Sequence, residues 1–128
     1  MRRALRSRPL RALVVVAAAL ALVGANAASA RAPKSAKVTV ADFYFGPSSV
    51  TIAKGGTVKW VWASTNTYPH DVHLKKGPKN LKNKGSYSTK TTAVTDARFQ
   101  KKFETPGTYQ FICTIHPTEM RMTVVVKK

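Results

Sequence analysis

The sequence is poor in acid and nearly empty of cysteine. Five Asp and Glu stand against 22 Lys and Arg in 128 residues, a formal charge of +17, and Cys113 is the one thiol. A single cysteine closes no intramolecular disulfide and builds no Cys-rich zinc module, so stapled mini-proteins and zinc ribbons are excluded. Paired-carboxylate chemistry, such as glycoside hydrolysis or a two-metal phosphatase centre, would have to be assembled from Asp42, Asp71, Asp96, Glu104 and Glu119 alone. Internal repeats are absent, and the length is that of one domain.

A long apolar run is lacking too. The longest, Ala12 to Val23, follows Arg2, Arg3, Arg6, Arg8 and Arg11 and precedes Gly24 and the small residues Ala28-Ser29-Ala30. That is the anatomy of a secretory signal peptide. The run is short of the roughly 18 residues a spanning helix needs, although an uncleaved anchor is the alternative. Cleavage is expected after Ala30, with Ala25-Asn26-Ala27 as an earlier site. Arg2-Arg3 leaves general and twin-arginine export both open. The expected location is extracytoplasmic.

Export removes five of the 22 basic residues and leaves 17 against five acidic ones, a charge of +12 over 98 residues. A chain of that size buries only about 60–70% of its unfolded surface, so its core is modest. In an oxidising compartment a lone free thiol is a liability, which makes Cys113 the most informative residue.

Residues 31–36 read as a flexible lead and residues 37–128 as the domain. No helical period appears there. Lys37–Ala41 and Ser49–Ala53 alternate, Lys54-Gly55-Gly56 turns, and Thr57–Ala63 puts Val58, Trp60 and Trp62 on one face. His70–Leu74 is a further short run, and Arg98–Phe103 aligns Phe99 with Phe103. Thr105-Pro106-Gly107 turns tightly into Thr108–Cys113, and Met120–Val126 closes the domain. Short strands without intervening helices predict an all-β, antiparallel β-sandwich. Two longer connections remain, Ser64–Pro69 and Lys75–Asp96. The second carries Lys75, Lys76, Lys79, Lys82 and Lys84 and then a Ser/Thr-rich tract, the composition of a solvent-exposed loop.

The chemistry concentrates in Tyr109-Gln-Phe-Ile-Cys-Thr-Ile-His-Pro-Thr-Glu-Met120, where a strand delivers Cys113 and a short loop supplies His116 and Met120. Upstream, Pro69-His70-Asp71-Val72 offers a second imidazole. Taken singly, Cys113 is a small buried hydrophobe, His70 a loop histidine, and Met120 or Met122 a core residue. Together, two imidazoles, one thiolate and a weak axial thioether are the donor set that selects a blue copper centre. A structural zinc site would need His73 as its fourth ligand, and within a strand His73 points away from the face of His70.

Several segments together make the chain resemble the plastocyanin-like cupredoxins, from Val38 to Val126. They are Gly55-Gly56-Thr57-Val58, Pro69-His70-Asp71-Val72, Pro106-Gly107-Thr108-Tyr109, and Cys113-Thr-Ile-His-Pro-Thr-Glu-Met120 followed by valines. The resemblance implies a Greek-key β-sandwich and one copper ion of type 1. It implies His70, Cys113 and His116 as equatorial ligands and Met120 as the axial one, with Met122 a rival. Two departures stand out. Met122 occupies the glycine of the family's Met-x-Gly-x-Val pattern, and Asp71 stands where plastocyanins commonly carry Asn. The Asp71 side chain is expected to accept a hydrogen bond from Thr114 and tie the His strand to the ligand loop. Tyr68, Pro69 and Pro117 are implied as an apolar collar about His116, with plain loop geometry the alternative.

A nucleic-acid role is not favoured, because the basic residues are scattered, the aromatics alternate as core positions and the chain carries an export signal. The charge is assigned instead to an acidic redox partner, an anionic membrane or cell-wall phosphate. The function read is a monomeric single-electron carrier, not an enzyme, since catalytic copper needs an open position and further histidines. Copper delivery without a redox circuit is the alternative, and a basic adhesion module with an empty site the third reading.

Overall fold

The structure, a computed structural model, describes residues 30–128. The export segment read over residues 1–30 therefore falls, all but Ala30, outside the described residues. Among the described residues eight strands follow in order: β1 Ser35–Ala41, β2 Tyr44–Gly46, β3 Ser49–Ala53, β4 Gly56–Trp62, β5 His73–Lys76, β6 Arg98–Phe103, β7 Gly107–Ile112 and β8 Arg121–Lys127. They form two four-stranded sheets, β2-β1-β4-β6 and β3-β8-β7-β5, and the chain changes sheet at every connection from β2 to β7.

The sandwich expected from the sequence is thus present, with a mixed ladder pattern. Four pairings are antiparallel, whereas β1 with β4 and β3 with β8 run parallel. Alternation reports which face a residue takes and not which strand lies beside it, so these parallel pairs left no local signal. They arise because β3 crosses to the second sheet before β4 returns to the first. β1 also starts earlier than expected, at Ser35, and the carbonyls of Pro33 and Lys34 accept the N–H groups of Ala53 and Thr57.

The period-2 pattern fills the interior. Val38 and Val40 of β1, Val58, Trp60 and Trp62 of β4, Tyr109 and Phe111 of β7, and Met122, Val124 and Val126 of β8 are all buried. Trp60 is central, with Phe111, Phe99 and Phe103 at ring separations of 5.1, 5.4 and 6.5 Å. The Gly55-Gly56 pair opens β4 for steric reasons. Gly55 has a φ of 78°, and a Cβ on Gly56 would lie 2.7 Å from the Ala53 carbonyl oxygen.

The Lys75–Asp96 connection departs from the exposed loop expected. Lys75 and Lys76 complete β5, a 3₁₀ turn spans Lys84–Tyr87, and Leu81 and Tyr87 are buried in the core. Tyr87 packs 5.4 Å from Phe103 and 5.6 Å from Tyr109. The Ser/Thr tract is equally tied: Leu74 N–H donates to Ser88 Oγ, Val72 N–H to Thr89 Oγ1, and Thr89 N–H to the Val72 carbonyl. Two apolar anchors among the lysines override the local polarity, while Lys79, Lys82 and Lys84 keep their exposure.

Candidate metal centre

The parallel pairing of β1 with β4 brings the ends of both strands to one pole of the sandwich, where β7 also ends and β8 begins. The segments that leave or enter these strands there, Asp42-Phe43, Ala63–Val72 and Cys113–Met120, build the site. Its donors converge: the ligand atoms of His70, Cys113 and His116 lie within 4.8 Å of one another. Cys113 Sγ stands 4.0 Å from His70 Nδ1 and 3.8 Å from His116 Nδ1. With metal–nitrogen and metal–sulfur bonds of about 2.0 and 2.3 Å, a trigonal site sets its donors roughly 3.7 Å apart. The two edges to Cys113 thus come close to the spacing that a trigonal metal site requires.

Each donor is fixed by backbone as well as by packing. His70 precedes β5, which begins at His73, so it does not belong to the strand expected for it. It is held by an isolated antiparallel bridge to Ala93, with hydrogen bonds of 2.9 and 3.0 Å, and its carbonyl accepts the Trp62 indole N–H. Cys113 follows β7 immediately and its N–H donates to the Met120 carbonyl, while Met120 N–H donates to the His116 carbonyl. The ligand loop is thus closed by its own backbone. Arg121 Nε adds a bond to the Pro117 carbonyl at 2.8 Å.

His70, Cys113 and Met120 have no exposed surface, whereas His116 is partly exposed. The two methionines differ in occupation. Met122 faces the core from β8, and its Sδ accepts the Trp60 indole N–H at 3.1 Å. Met120 is buried at the end of the loop, its backbone bonded to Cys113 and His116. His73 is exposed and takes no part in the cluster.

Asp71 performs the expected tie. Its Oδ1 accepts the Thr114 N–H at 2.7 Å and its Oδ2 the Thr114 hydroxyl, which couples the His70 segment to the ligand loop. Around His116, Tyr68 is 49% exposed with its ring 6.2 Å away in an edge geometry, and Pro117 and Ile115 are exposed nearby in sequence.

Two residues of this site went unread in the sequence. Asp42 Oδ1 accepts the Nε2–H of His70 at 2.8 Å, and Phe43 packs its ring 5.1 Å from His116 and 5.1 Å from Tyr68. Burial works against ionisation of Asp42, but hydrogen bonds from His70, Thr67 and Tyr68 outweigh it and hold the carboxyl well below the usual carboxylate range. The available signal was an acidic residue, in a chain with so few, directly after a strand that ends at the site.

The chain matches the family model described as copper binding proteins, plastocyanin/azurin family, over residues 32–127. It is 38% identical to amicyanin-alpha of Methylorubrum extorquens over 123 residues, covering 87% of this chain and 95% of that protein. It is 32% identical to plastocyanin of Prochlorothrix hollandica over 114 residues, covering 87% of this chain and 84% of that one. A mutant fern plastocyanin superimposes with a TM-score of 0.61 at 30% identity, over 72% of this chain and all of the other. With the soft donor cluster already at the pole of a β-sandwich, these likenesses place the chain in the copper-binding plastocyanin/azurin family, as a plastocyanin-like cupredoxin with one type 1 copper.

Proposed function

We propose that this cupredoxin is exported and carries single electrons through one copper ion, which His70 Nδ1, Cys113 Sγ and His116 Nδ1 would hold with the Met120 thioether as a weak fourth donor. When bound, copper supplies a one-electron Cu(I)/Cu(II) couple, which thiolate, thioether and imidazole together accommodate in both states. Met120 is preferred to Met122 because the Met122 sulfur is already engaged by Trp60.

The observation that carries the reading is the pattern of burial. Two donors, His70 and Cys113, are wholly enclosed, and His116 alone of the three reaches toward the surface. An electron can cross an imidazole edge, whereas an ion to be handed on needs an opening, so the enclosure favours electron transfer over copper delivery. Fixed ligand backbones keep the donors in place as the charge changes, which lowers the cost of the transfer. Beyond these ligands only the exposed His73 remains among the histidines, which fits a carrier better than a catalyst.

The exposed Tyr68, Phe43 and Ile115 beside His116 form the contact point for redox partner proteins. The exposed Lys75, Lys76, Lys79, Lys82 and Lys84 favour partners with acidic surfaces, or an anionic envelope surface, through a field that salt screens. The chain works as a monomer.

Absorbance and paramagnetic resonance after addition of Cu(II) test the reading. An intense blue band that ascorbate bleaches, and that Cys113→Ser abolishes, is the expected result. A colourless complex selective for Cu(I) would move the function to copper delivery.

A further inference from the structure

The β1–β2 hairpin turns through two residues, Asp42 and Phe43, with Ala41 paired to Tyr44. One of these residues grips a ligand imidazole from behind. Asp42 Oδ1 accepts the His70 Nε2–H at 2.8 Å and the Tyr68 N–H at 3.2 Å, and Oδ2 accepts both the N–H and the hydroxyl of Thr67 at 2.9 Å. Four donors converge on one carboxylate and fix its orientation.

A neutral imidazole carries one N–H, and here that proton is engaged at Nε2. Nδ1 is left as the lone pair, and Nδ1 is the atom that faces Cys113 Sγ at 4.0 Å. The hydrogen bond therefore selects the tautomer able to bind metal at the cluster. His70 is fully buried and the Asp42 side chain is 23% exposed, so the negative charge lies at the solvent boundary with the imidazole between it and the thiolate. A carboxylate behind a ligating imidazole fixes the ring and raises its basicity, and a nearby anion favours the more highly charged state of a metal.

We propose that Asp42 is a positioning residue of the copper site that locks His70 in its Nε2–H tautomer and biases the centre toward Cu(II). The inference rests on His70 being a copper ligand. It concerns this chain's own turn, which supplies a charged side chain for a task that a neutral acceptor could also perform. The charge is thus the separable part of the role.

Asp42→Asn keeps an oxygen acceptor for His70 and removes the charge. Its reduction potential is expected to rise by an amount equivalent to a several-fold to tenfold shift of the Cu(I)/Cu(II) ratio, about 59 mV at tenfold for one electron. Glu104→Gln makes the same change of net charge at the opposite pole and is expected to leave the potential unmoved. In the metal-free protein, long-range nitrogen–proton NMR is expected to show His70 as a single Nε2–H tautomer, and Asp42→Ala to convert it to a mixture. A potential in Asp42→Asn equal to the wild type, or a single tautomer retained in Asp42→Ala, would overturn the proposal. The potential arm does not depend on Asp42→Ala folding. A wild-type protein that never turns blue would defeat the copper reading instead, and the metal-free spectra would still decide the tautomer.

Discussion

The two imidazoles of the site stand at nearly equal distances from Cys113 and share little else. His70 is buried, bridged to Ala93, capped at its carbonyl by Trp62 and held at Nε2 by Asp42. His116 rides on a loop, reaches toward the surface, and is flanked by the rings of Phe43 and Tyr68. The difference divides the labour of one centre. On the proposed reading, the buried side sets geometry and charge, and the exposed side sets access. Asp71 joins the halves, since its carboxylate belongs to the His70 segment and both donors it accepts belong to Thr114 on the loop.

The largest effect is expected from cutting that joint. Asp71→Ala removes two hydrogen bonds and frees the loop that carries His116 and Met120, and losses of 10–100-fold in metal affinity are typical for such supporting residues. Competition of the variant with a Cu(I) chelator measures the loss. An affinity equal to the wild type would mean that the loop is held by its own backbone bonds alone, and the buried half would then have no hold on the exposed one.

Next comes the pair of methionines, which sharpens where the site ends and the core begins. Met122→Leu conserves apolar volume but leaves the buried Trp60 indole N–H without its acceptor, at about 1–3 kcal/mol of stability. Denaturant unfolding should register that cost with the copper absorption unchanged. Met120→Leu should do the reverse, altering the absorption band and potential at little cost in stability. An exchange of these outcomes would make Met122 the axial donor.

The two halves were unequally legible in the sequence. Cys113, His116 and Met120 share one eight-residue segment, and the donor types alone announce the chemistry. The alternation at Val58, Trp60 and Trp62, and at Met122, Val124 and Val126, places the core faces without ambiguity. Asp42 lies 28 residues from His70, and their contact exists because β1 and β4 run parallel and end at the same pole. No local period encodes that pairing. Leu81 and Tyr87 were hidden for a related reason: a single apolar residue in a lysine-rich stretch has no periodicity, and only the cavity that receives it reveals its role. The strand β2 was missed because it is three residues long and enters through a residue with left-handed backbone.

That residue gives the smallest predicted effect and the most direct test of the division. Phe43 adopts a φ of 68°, a region that costs a non-glycine residue about 1–2 kcal/mol. Phe43→Gly removes this strain, but it also loses the aromatic packing on Tyr68 and His116, worth about 0.5–1.5 kcal/mol, and adds freedom to the unfolded chain. The terms offset, so thermal unfolding of the metal-free protein should change by less than about 1 kcal/mol. Access to His116 changes instead. Electron self-exchange between oxidised and reduced copies, read from NMR line broadening, should fall several-fold as the apolar contact shrinks, and the reduction potential should stay put. A potential that moved as far in Phe43→Gly as in Asp42→Asn would show that the turn tunes both imidazoles, and that the exposed side is no less a part of the electrostatic setting than the buried one.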